Sequence, residues 1–542
     1  MARRGEFDAH VRCFSSPRHR TAPDRIRAAE MAGRMKRLGQ AAPWIVLCVL
    51  ILRLPGLLWG ILGIDDSDFT VIARAMAHGE VPYRDIVDIK PPLAFVCYLP
   101  NAWLGEALWP VQVEGVIVVV ATALILGVAA RRTWGSDGAA VCAAALAVAA
   151  GLCEAPTVST ELLMNLPTAA ALAVFARSEE ESREQDDLIV GVLVGIASLI
   201  RHQAIFTLGA LGLAVVLFGT VLRQRSWFRR CLLLSAGVLL PWFATIAAFR
   251  ALGALPEFVD WVLIRNIRYV GESAGSAWFR LAQSLAVCVF ASCLLPWLMG
   301  SRAVLSILKR QDLLGQLAEP QYRLRIAWTI LLVVSCVPVS LGGRFYEHYF
   351  LQFVPPLALL GAGPLEALLA RWKDLPSARR AGWISLAVLP AIGSLAYSGA
   401  RGVLRNYPLQ NPQVQAIGTW LRRNSSPADR LFVWGHFSPI YLAAGRLPGT
   451  RYVTTSWQLG NFDPEHIDDR VDLRRFRSDR DTQLTMVDLR ERRPEWIIDT
   501  APANIHSWHK LPLSLLPDLE SQIASGWKEV TRAGGARLLH RF

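Results

Sequence analysis

The sequence is poor in charged residues and has no paired cysteine motif. Charged residues make up 19% of its 542 residues, whereas 53% are hydrophobic. The nine cysteines are scattered, without a Cys-x-x-Cys pair and with none after Cys336, which argues against a disulfide framework and a zinc site. The chain has no internal repeat and no low-complexity segment beyond its N-terminal tail. A soluble fold does not need so much apolar sequence, so the composition predicts an integral membrane protein.

The distribution of basic residues argues against nucleic acid as a partner. The net charge is +13, but Arg and Lys lie in the N-terminal tail and in short segments between apolar runs. Orientation in a membrane and contact with lipid head groups explain that pattern better. We therefore expect membrane lipids, and no nucleic acid, as partners.

The N-terminal tail, residues 1–40, is basic and has little hydrophobic periodicity, which predicts a disordered cytoplasmic segment. A signal peptide is one alternative, and an overextended start codon is another. Residues 44–62 are long for the apolar part of a signal peptide and lack a clear cleavage site. They therefore predict a first transmembrane helix.

Eleven apolar segments predict transmembrane helices, since a span takes about 20 residues. With the tail in the cytoplasm, eleven crossings put the basic connections on the cytoplasmic side, as the positive-inside bias expects. Residues 93–104 are too short for a span, and we expect them to lie flat on the outer membrane surface. The predicted spans are 44–62, 111–131, 138–153, 161–176, 188–200, 204–222, 231–249, 281–300, 326–341, 350–370 and 381–399.

The chain becomes polar after about residue 400, and we predict a small extracytoplasmic α/β domain over 401–542. Its predicted helices begin at Asn411-Pro412 and at Thr482, since Asn is a good cap and Pro a good first helical residue. Strands are predicted at 431–435 and 496–499, and a hairpin at the end of the chain. The predicted fold class is thus an α-helical multispanning protein, with its membrane domain over 41–400 and this α/β domain after it.

A polar island separates the first apolar run from the second. Asp65, Asp66 and Asp68 come just past the first run, where a carboxylate is costly at membrane depth unless it lines a cavity or reaches water. From Phe69 to Ala77 the spacing predicts a short helix that stops before a glycine. The extracytoplasmic loop over 63–92 is therefore the best candidate for an active site, although ordinary acids at a helix end are the alternative.

This loop resembles the first extracytoplasmic loop of the polyprenyl-phosphate-sugar-dependent glycosyltransferases of the C-type superfold. These include bacterial relatives of protein O-mannosyltransferases and of lipid A aminoarabinose transferases. Their loop runs from an acidic pair through an aromatic residue and an Ala-rich helix to Gly-x-x-Pro-Tyr-x-Asp, and it closes on Lys-Pro-Pro-Leu. The second acid is commonly Glu in the family and is Asp66 here. The matching positions are Asp65, Asp66, Phe69, Ala73, Gly79, Pro82, Tyr83, Asp85, Lys90, Pro91, Pro92 and Leu93.

The resemblance implies an inverting membrane glycosyltransferase in a bacterial inner membrane. Such an enzyme moves a sugar from a polyprenyl-phosphate carrier to an extracytoplasmic acceptor, which can be a lipid, a glycan or a protein. It implies that Asp65 or Asp66 is the catalytic base or holds a divalent cation, and that Glu161 is a second acid. Residues 342–350 resemble a second family segment, Arg-x-Tyr-x-His-Tyr. The substrate-binding residues predicted from the resemblance are Lys90, Tyr83, Arg201, Arg344, Tyr346 and His348.

Each assignment has a plainer alternative. Lys90 could extend to the membrane surface from a helix end, Tyr83 could only hold the loop's shape, and residues 342–350 could belong to an interfacial aromatic belt. A transporter or flippase of lipid-linked saccharides would also span the membrane many times, but it would be expected to show inverted repeats and broken helices. A non-catalytic scaffold is a third class, against which Asp65, Asp66 and Lys90 together argue.

Overall fold

The computed structural model describes residues 36–60, 63–104, 108–181, 183, 185–267, 277–309, 315–460 and 472–542. Most of the predicted disordered tail, residues 1–35, lies outside the described residues. Residues 36–40 begin the first helix rather than ending a tail.

The chain up to residue 403 is helical. The main helices are α1 Lys36–Leu52, α2 Leu54–Trp59, α3 Ile64–Ala77, α4 Pro92–Val96, α5 Leu99–Trp103, α6 Trp109–Trp134, α7 Asp137–Ala150, α8 Thr160–Glu181, α9 Gln185–Ile200, α10 Ile205–Val221, α11 Trp227–Ala251, α12 Leu255–Val259, α13 Ala277–Leu285, α14 Leu294–Leu308, α15 Pro320–Ser340, α16 Val354–Ala370 and α17 Ser377–Val403. Wider π-helical turns continue α12 over Asp260–Ile264 and α13 over Ala286–Ala291.

Every predicted span has a helix at its position, but the count of eleven is not confirmed. Among the described residues, seven helical segments are long and apolar enough to cross a membrane, or eight if one bent pair is a single span. The chain is thus a multi-pass membrane protein. At the predicted span over 281–300, the helices Ala277–Ala291 and Leu294–Leu308 meet at 88°, which makes this segment either a broken span or a re-entrant loop. Residues 93–104 form the two short helices α4 and α5 instead of one.

Glycines bring α9 and α11 into backbone contact. A Cβ on Gly191 would lie 2.2 Å from the Leu234 carbonyl oxygen, and one on Gly237 would lie 2.3 Å from that of Leu188. Small residues allow such close packing, which is characteristic of membrane helix pairs. At one end of these helices, Arg230 pairs with Asp187 at 2.8 Å.

The C-terminal part of the chain is a small α/β domain. Its helices are α18 Pro412–Asn424, α19 Pro439–Ala444, α20 Asp479–Glu491 and α21 Pro517–Gly526, and its strands are β1 Arg430–Trp434, β2 Leu447–Pro448, β3 Trp496–Asp499, β4 Trp527–Ala533 and β5 Ala536–Arg541. The sheet order is β2-β1-β3-β5-β4, with β1 parallel to β2 and β3 and the remaining pairs antiparallel. The predicted cap is confirmed, since the Asn411 side chain accepts a hydrogen bond from the Gln413 amide at 2.8 Å.

This domain rests on the polar loop that follows α3. The Val87 amide donates to the Arg451 carbonyl at 2.9 Å, and Arg492 Nη1 donates to the Asp85 carbonyl at 2.9 Å. Arg430 forms an ion pair with Glu80. The loop is therefore fixed against the domain, and any site built on the loop lies close to it.

Candidate active site

The acidic pair lies inside a helix, which corrects the sequence prediction. Helix α3 begins at Ile64, five positions before the predicted start at Phe69, so Asp65 and Asp66 occupy its first turn. Carboxylates favour that position because the helix dipole is positive there. Successive helical residues point about 100° apart, so the two carboxylates face different surroundings.

Asp66 faces the protein interior. Its side chain is 1% exposed, and its Oδ2 accepts a hydrogen bond from the Val158 amide at 3.3 Å. Burial raises the pKa of this carboxyl to about 7. The hydroxyl of Tyr98 in turn donates to the Val158 carbonyl. Asp66 thus ties α3 to the segment before α8.

Arg53 also holds the segment that precedes α8. Its guanidinium is 2% exposed and donates to the carbonyls of Ala155 at 2.7 Å and Thr157 at 2.8 Å. The Arg53 guanidinium therefore fixes two backbone oxygens of the segment that leads to Val158. The result is a rigid support under the first turn of α3.

Asp65 faces a group of cations. Burial raises its pKa, but the charges of Lys90, His348 and Arg201 oppose that effect and hold the pKa below its ordinary value. Asp65 is therefore ionised at neutral pH. Of the two acids, it is the one whose charge and surroundings suit a base beside an anionic ligand.

Lys90 is positioned through its backbone. Its amide donates to Asp88 Oδ1 at 2.8 Å, and its carbonyl accepts from the Tyr83 hydroxyl at 2.8 Å. Tyr83 adopts φ +70°, is 1% exposed, and packs its ring against Phe95, Phe249 and Phe258. The prediction that Tyr83 contacts the substrate is therefore not supported by the structure. Its buried hydroxyl is used to position Lys90.

Glu161 and Arg201 form a buried ion pair. Glu161 Oε1 lies 2.8 Å from Arg201 Nη2, with the two side chains 1% and 7% exposed. The pair orients Arg201, whose Nε also donates to Gln203 Oε1 at 2.8 Å. His348 Nε2 lies 3.8 Å from the same Glu161 oxygen. Glu161 is better placed to hold these two groups than to act as a second catalytic acid.

Residues 342–350, the second segment that resembles the family, add charged and aromatic side chains to the candidate site. Gly342, Gly343 and Phe345 have left-handed backbones, which turn the chain from α15 into a 3₁₀ helix over Glu347–Phe353. The rings of Tyr346 and His348 stack with centroids 5.5 Å apart. Arg344 is 6% exposed. The segment is thus folded into the site and does not form an exposed aromatic belt.

Cations and apolar side chains share one cavity of about 340 Å³. The cations Lys90 and Arg201 line it together with His202 and with apolar residues from α10, the turn after α12 and the end of α15. Ile205, Leu263 and Ile267 in its wall are also exposed on the protein surface. The cavity therefore opens sideways, toward what would be lipid. Its apolar lining residues are Ile89, Ile205, Phe206, Val262, Leu263, Ile267 and Leu341.

Asn266 and Tyr269, in the predicted loop over 250–280, are two further residues that the sequence suggests as contacts for the sugar. Asn266 lines the cavity, but its Nδ2 donates to the Ile89 carbonyl at 2.7 Å and so helps to hold the loop. Tyr269 lies outside the described residues.

The donor set does not suit a divalent cation held by Asp65 and Asp66. Asp66 accepts a hydrogen bond from the Val158 amide in the interior, and the charges of Lys90, His348 and Arg201 already act on Asp65. Among the residues that the structure describes, no group of three or more His, Cys, Asp or Glu side chains could hold a metal ion.

Three residues of this region were missed by sequence reasoning. Arg53 and Asp88 fix the backbone around the site, and His436 contributes its charge to Asp65 from the C-terminal domain. The sequence held one indication of a role for His436, because this residue directly follows the predicted strand at 431–435 and α/β folds commonly place functional side chains at strand ends. Nothing local in the sequence connects it to a loop more than 300 residues earlier.

Comparisons with known proteins identify the fold. Residues 90–249 match the family model described as dolichyl-phosphate-mannose-protein mannosyltransferase. The fold is similar to that of ArnT from Cupriavidus metallidurans, solved bound to undecaprenyl phosphate, with a TM-score of 0.61, 15% identity, and coverage of 92% of this chain and 98% of that one. The chain has the C-type glycosyltransferase fold. The fold that the resemblance implied is therefore confirmed.

Archaeal structures share this fold. The Archaeoglobus fulgidus oligosaccharyltransferase in its apo form matches with a TM-score of 0.53 and 14% identity, over 90% of this chain and 73% of that one. The oligosaccharyltransferase AglB from the same organism, in complex with an inhibitory peptide and a dolichol-phosphate, matches with a TM-score of 0.51 and 14% identity, over 93% and 74%. Among curated protein sequences none matches the chain.

Proposed function

We propose that this protein is an inverting glycosyltransferase that moves a sugar from a polyprenyl-phosphate carrier to an extracytoplasmic acceptor. The observation that carries the proposal is one group of charged residues. Arg201 and His348 meet at Glu161, Lys90 and Arg201 line the same cavity, and the charges of all three cations lower the pKa of Asp65. A phosphate leaving group needs the cations, and an acceptor hydroxyl needs the base. The fold neighbours solved with undecaprenyl phosphate and dolichol-phosphate support a lipid-phosphate donor.

The cavity suits such a donor. Its apolar wall opens toward lipid, where a polyprenyl chain would enter, and Lys90 and Arg201 line it as partners for the phosphate. Arg201 can bind phosphate oxygens with its planar guanidinium, and its orientation is fixed by Glu161 and Gln203. Lys90 supplies a compact charge from a rigid backbone. These cations stabilise the negative charge that develops on the phosphate as the bond to the sugar breaks.

The arrangement of carboxylates favours inversion. Retention through a glycosyl-enzyme intermediate needs a second carboxylate as nucleophile beside the acid or base. Asp66 accepts a backbone hydrogen bond in the interior, and Glu161 is paired with Arg201. Asp65 is left to accept the proton of the acceptor hydroxyl while that oxygen attacks the anomeric carbon from the face opposite the phosphate.

We place the protein in a bacterial inner membrane with its N-terminus in the cytoplasm. The basic connections then face the cytoplasm, and α3, the 342–350 segment and the C-terminal domain face outward. A transporter or flippase of lipid-linked saccharides would be expected to show broken helices and inverted repeats; α13 and α14 meet at 88°, but the sequence has no internal repeat. The first turn of α3 is held through Asp66 and the Lys90 backbone through Asp88 and Tyr83, so the site is rigid. Alternating access would require this region to move.

The experiment is a transfer assay with the purified full-length protein in detergent or nanodiscs. Radiolabelled polyprenyl-phosphate sugars are supplied with lipid, glycan and peptide acceptors, and the anomeric configuration of the product is determined by NMR. We expect labelled product of inverted configuration and release of polyprenyl phosphate. Movement of intact lipid-linked sugar across proteoliposomes without any transfer would overturn the proposal.

A further inference from the structure

The most informative group that the proposed chemistry leaves unused is His436, in the C-terminal domain. It follows β1 by two residues, at the carboxyl end of the parallel strands β1 and β3, where α/β folds commonly place functional side chains. Its Nδ1 hydrogen-bonds Ser456 Oγ at 3.0 Å. This bond fixes the ring and puts Nε2 on its opposite edge.

A strained loop supports the same imidazole. Asn504, His506 and Ser507 all have left-handed backbones, with φ between 50° and 57°. Non-glycine residues adopt that conformation at a cost, and such strain concentrates at functional sites. Here the strained turn brings the His506 ring to 5.9 Å from the His436 ring and to 5.7 Å from that of Phe437. The loop therefore holds a pair of imidazoles at one place.

The fold brings this pair to the catalytic helix. Helix α19 begins three residues after His436 and packs against α3, which carries the acidic pair. Ser438 lies beside Asp68 on α3, and the charge of His436 acts on Asp65. Among the residues that the structure describes, the donor cavity is lined by none from the C-terminal domain. His436 is therefore not one of the residues that line the donor cavity.

We propose that His436 is a positioning residue for Asp65, supplied by the C-terminal domain and held by Ser456 and His506. A positive charge on its ring favours the carboxylate form of Asp65. This inference rests on the proposed function, because it concerns the base of that reaction. The other charged groups that interact with Asp65 are Lys90, Arg201, His348, Asp66, Asp68, Asp88 and Glu161.

The test is the pH dependence of kcat/KM in full-length His436→Gln, with saturating donor. A unit charge acting across roughly 10 Å at an effective dielectric of about 20 shifts a pKa by about one unit. We therefore expect the acid limb of the profile to move up by about one pH unit. His436→Lys should move it back toward the wild-type position, because it restores the charge. The matched control is His540→Gln, an exposed histidine on β5 of the same domain, which should leave the profile unchanged.

Asp65→Asn is measured in parallel to separate the two proposals. If Asp65→Asn is inactive and His436→Gln keeps the wild-type acid limb, the role of His436 is wrong and the glycosyltransferase proposal stands. If Asp65→Asn is fully active, the proposed base is itself wrong. If His436→Gln does not fold, Ser456→Ala is used instead, because it removes the hydrogen bond that holds the His436 ring and keeps the ring itself. A shift of the acid limb in the same direction supports the inference, and an unchanged limb overturns it.

Discussion

Replacing Lys90 tests how the phosphate is held, and the structure isolates the effect of its charge. The Lys90 backbone is fixed by Asp88 and by Tyr83, whose ring is packed among three phenylalanines. Pro91 follows directly. None of these contacts involves the ammonium group, so Lys90→Ala should leave the loop in place. The variant therefore removes the ammonium charge from the site and keeps the backbone contacts of residue 90.

We expect two consequences of Lys90→Ala. Loss of one transition-state donor typically costs about 10²–10³ in rate, so the turnover number should fall by that factor. Lys90 is also the strongest of the charges that lower the pKa of Asp65, so the acid limb of the rate profile should move to higher pH. Lys90→Arg should recover part of the rate, because it keeps the charge but not the compact ammonium geometry.

The assay is single-turnover transfer at saturating donor, followed across pH, with donor affinity measured separately by equilibrium binding. Arg84→Ala is the control, since it removes an exposed cation from the same loop. Lys90→Ala with the wild-type turnover number and only a weaker donor affinity would make Lys90 a docking residue. The reasoning about transition-state charge would then be refuted.

Three further predictions concern burial, metal and topology. Because Asp66 holds its proton more tightly when folded, with a pKa of about 7 against 3.8, the free energy of unfolding should fall as pH rises from about 4 to 7, by at most about 4 kcal/mol. Asp66→Asn should remove that decline in thermal melts, and an unchanged slope would contradict it. Chelators should leave transfer unchanged, and loss of activity restored by Mg²⁺ or Mn²⁺ would show a metal site. A reporter fused after Arg401 should be active only outside the cytoplasm, and cytoplasmic activity there would overturn the proposed orientation.

Local patterns predicted much of the C-terminal domain. The Asn411-Pro412 pair gave the start of α18 because its capping chemistry is complete within three residues. The terminal hairpin was also predicted, since both strands and the Gly534-Gly535 turn lie together in the sequence. The ordered loop motif likewise led to the correct fold, because it extends over thirty residues.

What the sequence left out depends on contacts between distant segments. The start of α3 was placed too late, although Asp65 and Asp66 are favourable first-turn residues. The 88° bend before α14 lies within an apolar run whose hydropathy is the same for a straight and a bent helix. Tyr83 matched the family motif, but only the three surrounding phenylalanines show that it is buried. His436 reaches the site through the docking of a whole domain, which no local pattern contains.

The most direct test of the central claim is the rate of sugar transfer by Asp65→Asn. The amide keeps the size of the side chain and removes the charge that accepts the proton, while Asp374→Asn, in an exposed loop far along the chain, serves as the control. Donor binding is measured on the same preparations. The account predicts that Asp65→Asn binds the donor but transfers at less than about one hundredth of the control rate, since general base catalysis contributes about 10²–10⁴. Transfer at the control rate under donor saturation would contradict it.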